Sequence, residues 1–325
     1  MDTTTANVDQ TMAETSPAKY ALFDQRFLPL PFGLNNTGYI CWLNATLQAL
    51  LSCPAMTQTV LSVADDLTNS FAREYLRLVY SIIEAKKNPA NWNPNLYGQA
   101  SSKILQAFIE CAKAKYPMTP IGNNQECADE AFTIMIDLFD HPKIANLFNN
   151  VYELRITCPQ CNNVVSSVRD RTYKIDVFTQ HSLADQRSFI DFLRFHRSPV
   201  DDYQCPNCGR SSSVRREERL AMLREIVVLT FNKYQAKDIR YFPDELWFPQ
   251  IGGGRLVYRQ VAQIEHSGSQ SSGHYYADVL RNTLQPGGDI APAAEFYRAN
   301  DSSISPNKPR STANTYMVIY HMASA

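Results

Sequence analysis

The strongest constraint on the fold of this chain comes from two Cys-x-x-Cys pairs that have 43 residues between them. The pairs are Cys158 with Cys161 and Cys205 with Cys208, and Pro directly follows the first Cys of each. One such turn brings two sulfurs within reach of a metal ion, and two turns complete the closed four-thiolate site typical of structural zinc. We therefore expect these cysteines to bind zinc at the tip of an extended strand hairpin or finger. Coincidence and two redox motifs are the alternatives.

Composition narrows the classes of protein further. The chain has 325 residues, 44% hydrophobic and 19% charged, with a formal net charge of -1. This describes a globular chain with a sizeable core and no overall attraction to nucleic acid or anionic membranes. No apolar run approaches the roughly 18 residues that span a bilayer. A nucleic-acid-binding zinc module is the competing interpretation, but acidic residues interrupt the arginines near the second pair, which are Arg210, Arg215, Arg216 and Arg219.

The N-terminal segment and the cysteine usage indicate the compartment. Residues 1–27 lack the basic and apolar regions of a signal peptide, so we expect a short disordered tail. Three N-x-S/T sequons, at Asn35, Asn44 and Asn300, fall in segments that we interpret below as catalytic, where a glycan would block the site. The cysteines do not form a secreted disulfide pattern. A reducing compartment, the cytoplasm or the nucleus or both, fits best.

Periodicity divides the chain into a helical first part and a strand-rich second part, which predicts an α+β fold. Helices are expected from Cys41 until Pro54 ends the first of them, and then near residues 71–86, 99–115 and 125–139. Strand-like runs follow at residues 151–157, 164–177, 226–231, 257–265, 274–280 and 315–320. Residues 286–294 and 302–312 are rich in turn residues and should form surface loops.

Cys41 is the candidate nucleophile. It follows a Gly- and Asn-rich loop and opens an apolar helix, where the helix dipole and unpaired N–H groups lower the pKa of a thiol. Asn36 offers an amide suited to donate a hydrogen bond to a developing oxyanion. Taken alone, such a cysteine is more often a buried structural thiol. A partner histidine is needed to change that interpretation.

His274 is the candidate partner. It opens a strand-like run after a Ser/Gly-rich segment at residues 266–273, which we expect to be a flexible loop beside the site. Asn300 and Asp301 supply an amide and a carboxylate that can orient the imidazole. Together these residues predict a Cys-His-Asn/Asp triad.

These motifs resemble the catalytic domain of ubiquitin-specific proteases. The family cysteine box GLxNxGxTCYMN corresponds to GLNNTGYICWLN here. The histidine box Y-x-L-x-A-x-x-x-H-x-G-x(4,5)-G-H-Y-x-A corresponds to Tyr258 through Ala277, with Gln260 in place of leucine. The closing segments are NDSSIS and TYMVIYHM, and the two Cys-x-x-Cys pairs lie between the boxes as in the family. The resemblance covers residues 28–322.

The resemblance implies a papain-like cysteine protease fold shaped like a hand, in one catalytic domain at residues 28–325. The helical thumb would take about residues 28–150, and the antiparallel palm and zinc-bearing fingers about residues 151–325. Cys41 would be the nucleophile, His274 the base and acid, Asn300 the orienting residue with Asp301 beside it, and Asn36 the oxyanion donor. Substrate contacts are expected from Gln125, Glu130, His266, Gly273 and Tyr275. Ubiquitin and ubiquitinated proteins would be the partners of a monomer, without nucleic acid or membrane.

Several positions depart from the family pattern. Ile40 and Trp42 replace threonine and tyrosine, and the bulky Tyr39 is able to crowd the site. Cys127 stands where the family commonly has an acid that contacts a basic residue of the ubiquitin tail, which leaves open a protease for another ubiquitin-like modifier. An inactive ubiquitin-binding homologue is the further alternative, although the sequence lacks none of the triad residues.

Overall fold

The structure, a computed structural model, places the chain in a helical part followed by a strand-rich part. It describes residues 23–89, 92–95, 97–118, 126–168, 172–177, 193, 195–231, 242–249, 254–269 and 272–324. The helices are α1 Cys41–Leu50, α2 Pro54–Ser62, α3 Ser70–Lys86, α4 Ala100–Lys115, α5 Ala128–Leu138 and α6 Pro142–Asn146. The strands are β1 Val151–Thr157, β2 Val164–Val168, β3 Ile175–Val177, β4 Phe195–Gln204, β5 Ser211–Met222, β6 Ile226–Phe231, β7 Glu245–Pro249, β8 Arg255–Ser269, β9 Ser272–Arg281, β10 Glu295–Asn300, β11 Ser303–Pro306 and β12 Thr315–Ser324. The predicted α+β order is confirmed.

The strands form two sheets. The larger one has the order β11-β10-β9-β8-β12-β6-β3, with β7 paired to β8, and all its pairs are antiparallel except β3 with β6. The smaller one has the order β2-β1-β5-β4 and is antiparallel throughout. Its β1–β2 and β4–β5 hairpins carry one Cys-x-x-Cys turn each, so the expected strand hairpin is present twice. Within the described residues, none of the helices is long and apolar enough to cross a bilayer.

The central strands β6 and β12 of the larger sheet are buried on both faces, which explains their continuous apolar runs. Along β12, Met317 and Ile319 pack into the core shared with the helices, whereas Val318 and Tyr320 pack into a second core on the opposite face. The same alternation runs through β6. Strand side chains point to opposite faces in turn, so a strand with a core on each side needs apolar residues at every position.

Helix α1 lies inside the molecule, and β9 contacts both of its ends. All ten residues of α1 are buried, so polar groups at its ends must find protein partners. At the C-terminal end the fully buried Arg281 of β9 donates to the carbonyl and side-chain oxygens of Gln48 and to Ser52 Oγ. A cation beside the last carbonyls of a helix also complements the helix dipole. Arg281 therefore joins the sheet to α1 without a carboxylate among these contacts.

Three local expectations are wrong. Phe23–Phe27, assigned to the disordered tail, are ordered: Phe23 N–H donates to Met322 O, and Gln25–Phe27 form a 3-10 turn. The segment 266–273 is not a loop, because its described residues continue β8 and begin β9 in register, with Gly268 opposite Gly273. Residues 302–312 include β11, paired with β10. Phe23 is ordered by a hydrogen bond to the far end of the chain, whereas the other two segments pair with a neighbouring strand that their polar sequence does not predict.

Two boundaries also differ. Pro54 ends no helix; α1 stops at Leu50 and Pro54 is the first residue of α2, where a missing N–H costs nothing. The next N–H, of Ala55, donates to Nε2 of the buried His321. Burial lowers the pKa of His321 to about 4, so the ring stays neutral and accepts this bond. The run 164–177 is divided into β2 and β3.

We predict that Arg281→Met lowers the free energy of unfolding by about 2–4 kcal/mol, because Gln48 and Ser52 lose buried hydrogen bonds. Arg259→Met is the matched control: the Arg259 side chain is 66% exposed and its nearest carboxylate oxygen, on Glu245, is 3.8 Å away. The control should change stability by less than about 1 kcal/mol. Urea unfolding measures both, and equal stability of Arg281→Met and wild type would contradict the role of this guanidinium.

Candidate active site

The Cys41 thiol lies at the start of α1, enclosed by the loop before the helix and by β9. Cys41 is 4% exposed. Asn36 Oδ1 accepts hydrogen bonds from the backbone N–H groups of Gly38 at 2.9 Å and Ile40 at 3.4 Å, and so shapes the loop that leads into the helix. Tyr39, between them, has a φ of 54° and is 70% exposed, so its side chain points away from the core. The loop thus presents the nucleophile without crowding from that ring.

The expectation that the helix start lowers the pKa of Cys41 is wrong for this arrangement. Burial raises the pKa of the thiol above its usual value, and the negative charge of Asp301 acts in the same direction. Hydrogen bonds from the backbone of Tyr275, Trp42 and Cys41 itself oppose this effect only in part. Desolvation therefore outweighs the helix terminus.

The backbone contact from Tyr275 brings the candidate nucleophile and base segments together, because Tyr275 directly follows His274. The His274 side chain is 42% exposed, and its Nε2 lies 2.6 Å from Asn300 Oδ1. An amide oxygen accepts, so this contact assigns the ring proton to Nε2 and leaves Nδ1 as the basic nitrogen. The antiparallel pairing of β9 with β10 brings Asn300 to the histidine.

Asp301 lies beside this pair and is bound by two amides. Asn36 Nδ2 donates to one carboxylate oxygen at 3.0 Å, and Asn44 Nδ2 donates to the other at 2.8 Å. The first of these oxygens is 3.9 Å from His274 Nε2. The Asn36 amide therefore already has a partner, and Asn44 enters the site as a residue that the triad motif does not identify. Asn44 closes the same sequence segment, GLNNTGYICWLN, that contains Cys41, and this is the sequence feature that could have identified it.

The predicted substrate-contact residues occupy different surroundings. Gln125 lies outside the described residues, and Glu130 is exposed in the first turn of α5. The buried His266 packs its ring 4.3 Å from that of Tyr275, measured between centroids. A Cβ on Gly273 would lie 2.2 Å from His266 Nε2. His266, Gly273 and Tyr275 thus form one packed wall beside His274.

Cys127 takes part in a second polar cluster near Tyr275. Its Sγ lies 2.9 Å from the hydroxyl oxygen of Tyr316, and that hydroxyl also donates to Asp129 at 2.6 Å. Lys174 pairs with the other oxygen of Asp129, and the positive charge helps to hold the pKa of Asp129 below its usual value despite burial. Burial raises the pKa of Cys127. The negative charge of Asp129 is thus compensated within the protein by Lys174. No sequence motif indicates Lys174 or Tyr316 as partners of this carboxylate.

The four paired cysteines meet at the tips of the two hairpins of the small sheet. Their sulfurs all lie within 4.8 Å of one another, with Cys158 and Cys208 4.0 Å apart and Cys161 and Cys205 3.7 Å apart. Zinc–sulfur bonds of about 2.3 Å in a tetrahedron require sulfurs about 3.8 Å apart. The donor set and spacing therefore fit a four-thiolate metal ion.

The two turns also share a backbone conformation. Cys158 O accepts from Asn162 N–H at 3.0 Å, and Cys205 O accepts from Gly209 N–H at 2.9 Å. Asn162 and Gly209 have φ values of 55° and 68°, the left-handed region that Gly and Asn tolerate best. Two unrelated turns with the same geometry present their thiols in the same way, as a shared metal requires.

Known proteins resemble this chain in sequence. The family model described as "Ubiquitin carboxyl-terminal hydrolase" matches residues 32–320. Ubiquitin carboxyl-terminal hydrolase 36 of Drosophila ananassae is 22% identical over 328 residues, covering 89% of this chain and 28% of that protein. Ubiquitin carboxyl-terminal hydrolase 17-like protein 13 of Homo sapiens is 22% identical over 315 residues, covering 88% of this chain and 54% of that protein. The chain thus spans between about a quarter and about half of the length of these relatives.

Solved structures support the fold. The SAGA Ubp8/Sgf11/Sus1/Sgf73 DUB module bound to ubiquitin aldehyde matches with a TM-score of 0.66 and 18% identity, covering 93% of this chain and 71% of the matched chain. A structure of that module bound to monoubiquitin matches with a TM-score of 0.66 and 17% identity, covering 95% and 72%. The papain-like architecture expected from the sequence is confirmed.

We predict that Gly273→Ala destabilises the wall beside His274 by about 1–3 kcal/mol, because the new methyl group overlaps the His266 ring and also lies 2.8 Å from Ser267 O. Gly287→Ala is the control, since a Cβ there meets nothing within 4 Å. The free energy of unfolding in urea checks both. In a His266→Ala background the cost of Gly273→Ala should fall by more than half; an unchanged cost would show that the His266 contact is not its cause.

Proposed function

The chain belongs to the ubiquitin carboxyl-terminal hydrolase family, and from this premise we propose that it is a cysteine-type deubiquitinase that hydrolyses the bond after the C-terminal glycine of ubiquitin. One observation carries the proposal. The Cys41 thiol has a hydrogen bond from the backbone of Tyr275. The adjacent His274 is oriented by Asn300, whose Oδ1 lies 2.6 Å from His274 Nε2. A buried thiol, an imidazole with a basic nitrogen left over and an orienting amide are the parts that thiol acyl transfer needs.

The proposed reaction begins with a neutral thiol, because burial raises the pKa of Cys41. His274 Nδ1 takes the thiol proton as Sγ attacks the isopeptide carbonyl carbon. The imidazolium then gives this proton to the departing lysine amine, which leaves the ubiquitin acyl group on Cys41 as a thioester. His274 next deprotonates a water molecule that attacks the thioester carbon. The Cys41 thiolate leaves and recovers a proton from His274.

We propose Asn36 as a donor to the oxyanion, with a condition that its contacts impose. Its Nδ2 donates one hydrogen to Asp301, so the oxyanion would have to take the second hydrogen of the same NH2 group. A small turn of the amide would serve both acceptors. Asp301 keeps Asn44 as its other partner throughout.

Ubiquitin and its conjugates are the proposed partners. The tail of ubiquitin would pass between the helical part and the large sheet, along the wall of His266, Gly273 and Tyr275, with Glu130 and Gln125 as further contacts. The SAGA module structures, whose similar fold is bound to ubiquitin or ubiquitin aldehyde, support ubiquitin as the partner. We also propose a monomer in the cytoplasm or nucleus, where thiols remain reduced.

We propose that the four-cysteine cluster binds structural zinc. Cys158, Cys161, Cys205 and Cys208 would supply four thiolates and leave no coordination position open, so the metal would hold the two hairpin tips together and take no part in hydrolysis. The close spacing of the sulfurs supports this assignment.

A protease for another ubiquitin-like modifier is the second candidate, and one observation favours it. Cys127 replaces the acid of the family pattern, and the nearby Asp129 is occupied by Lys174 and Tyr316. The pocket that would meet a basic residue of the ubiquitin tail therefore has fewer available negative charges.

We predict that a ubiquitin probe with an electrophilic C-terminus labels the wild-type chain and fails to label Cys41→Ala, which lacks the attacking sulfur. Cys111→Ala is the control; the Cys111 residue is partly exposed, unlike Cys41, and its thiol contacts Ser70 Oγ, so labelling should persist. Mass spectrometry of the adduct measures both. Labelling of Cys41→Ala would overturn the nucleophile assignment, and labelling only by probes of other modifiers would favour the second candidate.

Loss of one zinc ligand should release the metal. We expect Cys205→Ser to lose most of the zinc that wild type retains after purification, and to lower the thermal stability of the small sheet, because three thiolates hold zinc less tightly. Cys111→Ser is the matched control and should keep its zinc. Elemental analysis of each variant decides the point, and full zinc content in Cys205→Ser would contradict the four-thiolate site.

A further inference from the structure

We propose that Asn44 is a positioning residue of the active site, holding Asp301 so that the neighbouring Asn300 keeps His274 in its reactive orientation. The inference rests on the proposed hydrolytic function and adds a residue outside the triad. Asn44 lies in α1, three residues after Cys41, and is 2% exposed.

The side-chain amide of Asn44 faces three oxygen acceptors. Its Nδ2 lies 2.8 Å from Asp301 Oδ1, 3.3 Å from Asn35 O and 3.4 Å from Leu34 O. The opposite amide orientation would point an oxygen at all three, so these acceptors determine which atom faces them. Within the described part of the chain, Asn44 Oδ1 is buried without a hydrogen-bond partner. An orphaned oxygen costs free energy, so the three contacts on the other side must outweigh it.

The turn that carries Asp301 is attached to the nucleophile loop at several points. Leu34 N–H donates to Asp301 O at 2.9 Å. Gly33 lies so close that a Cβ there would be 2.3 Å from Ser302 O. Asp301 itself has a φ of 51°, a conformation that Asp adopts only at some cost. The turn is therefore held by tertiary contacts rather than by its own preference.

The position of Asp301 along the chain links its contact with Asn44 to His274, the proposed base. Asp301 directly follows Asn300, whose Oδ1 lies 2.6 Å from His274 Nε2. A shift of the Asp301 backbone displaces Asn300, since the two residues share a peptide unit. Without the Asn44 amide, Asp301 Oδ1 loses its 2.8 Å hydrogen bond to the helix that bears Cys41. Asn44 thus acts on His274 through Asp301 and Asn300.

The chain offers a matched control for a merely structural role. Asn282 is 1% exposed, its Nδ2 donates to Gln25 O and Leu28 O at 2.9 Å each, and its Oδ1 is likewise buried without a partner among the described residues. It follows the last residue of β9, away from the end that carries His274. Replacing either asparagine removes the same kind of buried amide.

The test compares Asn44→Ala with Asn282→Ala in the full chain, on a fluorogenic ubiquitin C-terminal amide. Both variants should lose comparable melting temperature. Asn44→Ala should lower kcat by about tenfold to a hundredfold with KM within about twofold of wild type, because misplaced catalytic groups slow the chemical step more than binding. Asn282→Ala should keep kcat within about twofold at a temperature where it is folded. Equal kcat losses in the two variants would overturn the proposal.

A double-mutant cycle tests the route through Asp301. In an Asp301→Ala background, Asn44→Ala should cause little further loss of kcat, because the amide no longer has its carboxylate; fully additive losses would contradict the route. If Asn44→Ala does not fold, Asn44→Ser, whose hydroxyl is too short to reach Asp301, takes its place.

A spectroscopic readout separates this inference from the proposed function. The Nε2–H resonance of His274, observed by nitrogen-15 NMR, should move in Asn44→Ala and stay in place in Asn282→Ala. An inactive wild type in which this shift occurs would refute the hydrolase and leave the positioning role standing. An unmoved resonance in Asn44→Ala would refute the positioning role, whatever the activity.

Discussion

The attachment of helix α1 to strand β9 is the interaction on which the rest of this structure depends. The helix is buried along its whole length, so its ends cannot be satisfied by water. At one end the backbone of Tyr275 hydrogen-bonds the Cys41 thiol, and at the other Arg281 donates to Gln48. One strand therefore fixes both the rotation and the height of the helix, and with them the position of the nucleophile relative to His274.

The same enclosure creates the chemical problem that the site must solve. Burial holds Cys41 and Cys127 in their neutral forms, since their thiolates would lose hydration without a cation in contact. A thiol that is neutral at rest is protected from adventitious oxidation, because the thiolate is the reactive form. The polar groups near Cys41 hydrogen-bond one another: Asp301 accepts from both Asn36 and Asn44. Orientation, rather than a resting thiolate, is what the protein supplies in advance.

The pattern of apolar residues predicted most of the elements, and its failures have a common cause. Strong periodicity gave helix α3 and strands β1 and β6 nearly residue for residue. The Ser/Gly segment before His274 was misassigned because its small polar residues have weak strand preference, and only pairing with β8 makes them a hairpin. Phe23 looked like part of a free tail because its partners, Met322 and His321, lie at the opposite end of the chain. Local patterns carry no information about such contacts.

By itself, the sequence determined which residue types are available and in what order: a cysteine at a helix start, a histidine on a later strand, an amide and a carboxylate after it, and four thiols in two turns. Only the tertiary structure decided how they meet. The pKa of Cys41 depends on how deeply it is buried, and the occupation of Asp129 by Lys174 depends on a strand that pairs in parallel far along the chain. Residue identity sets what a side chain can donate or accept, whereas desolvation and hydrogen-bond partners arise from neighbours that folding brings together.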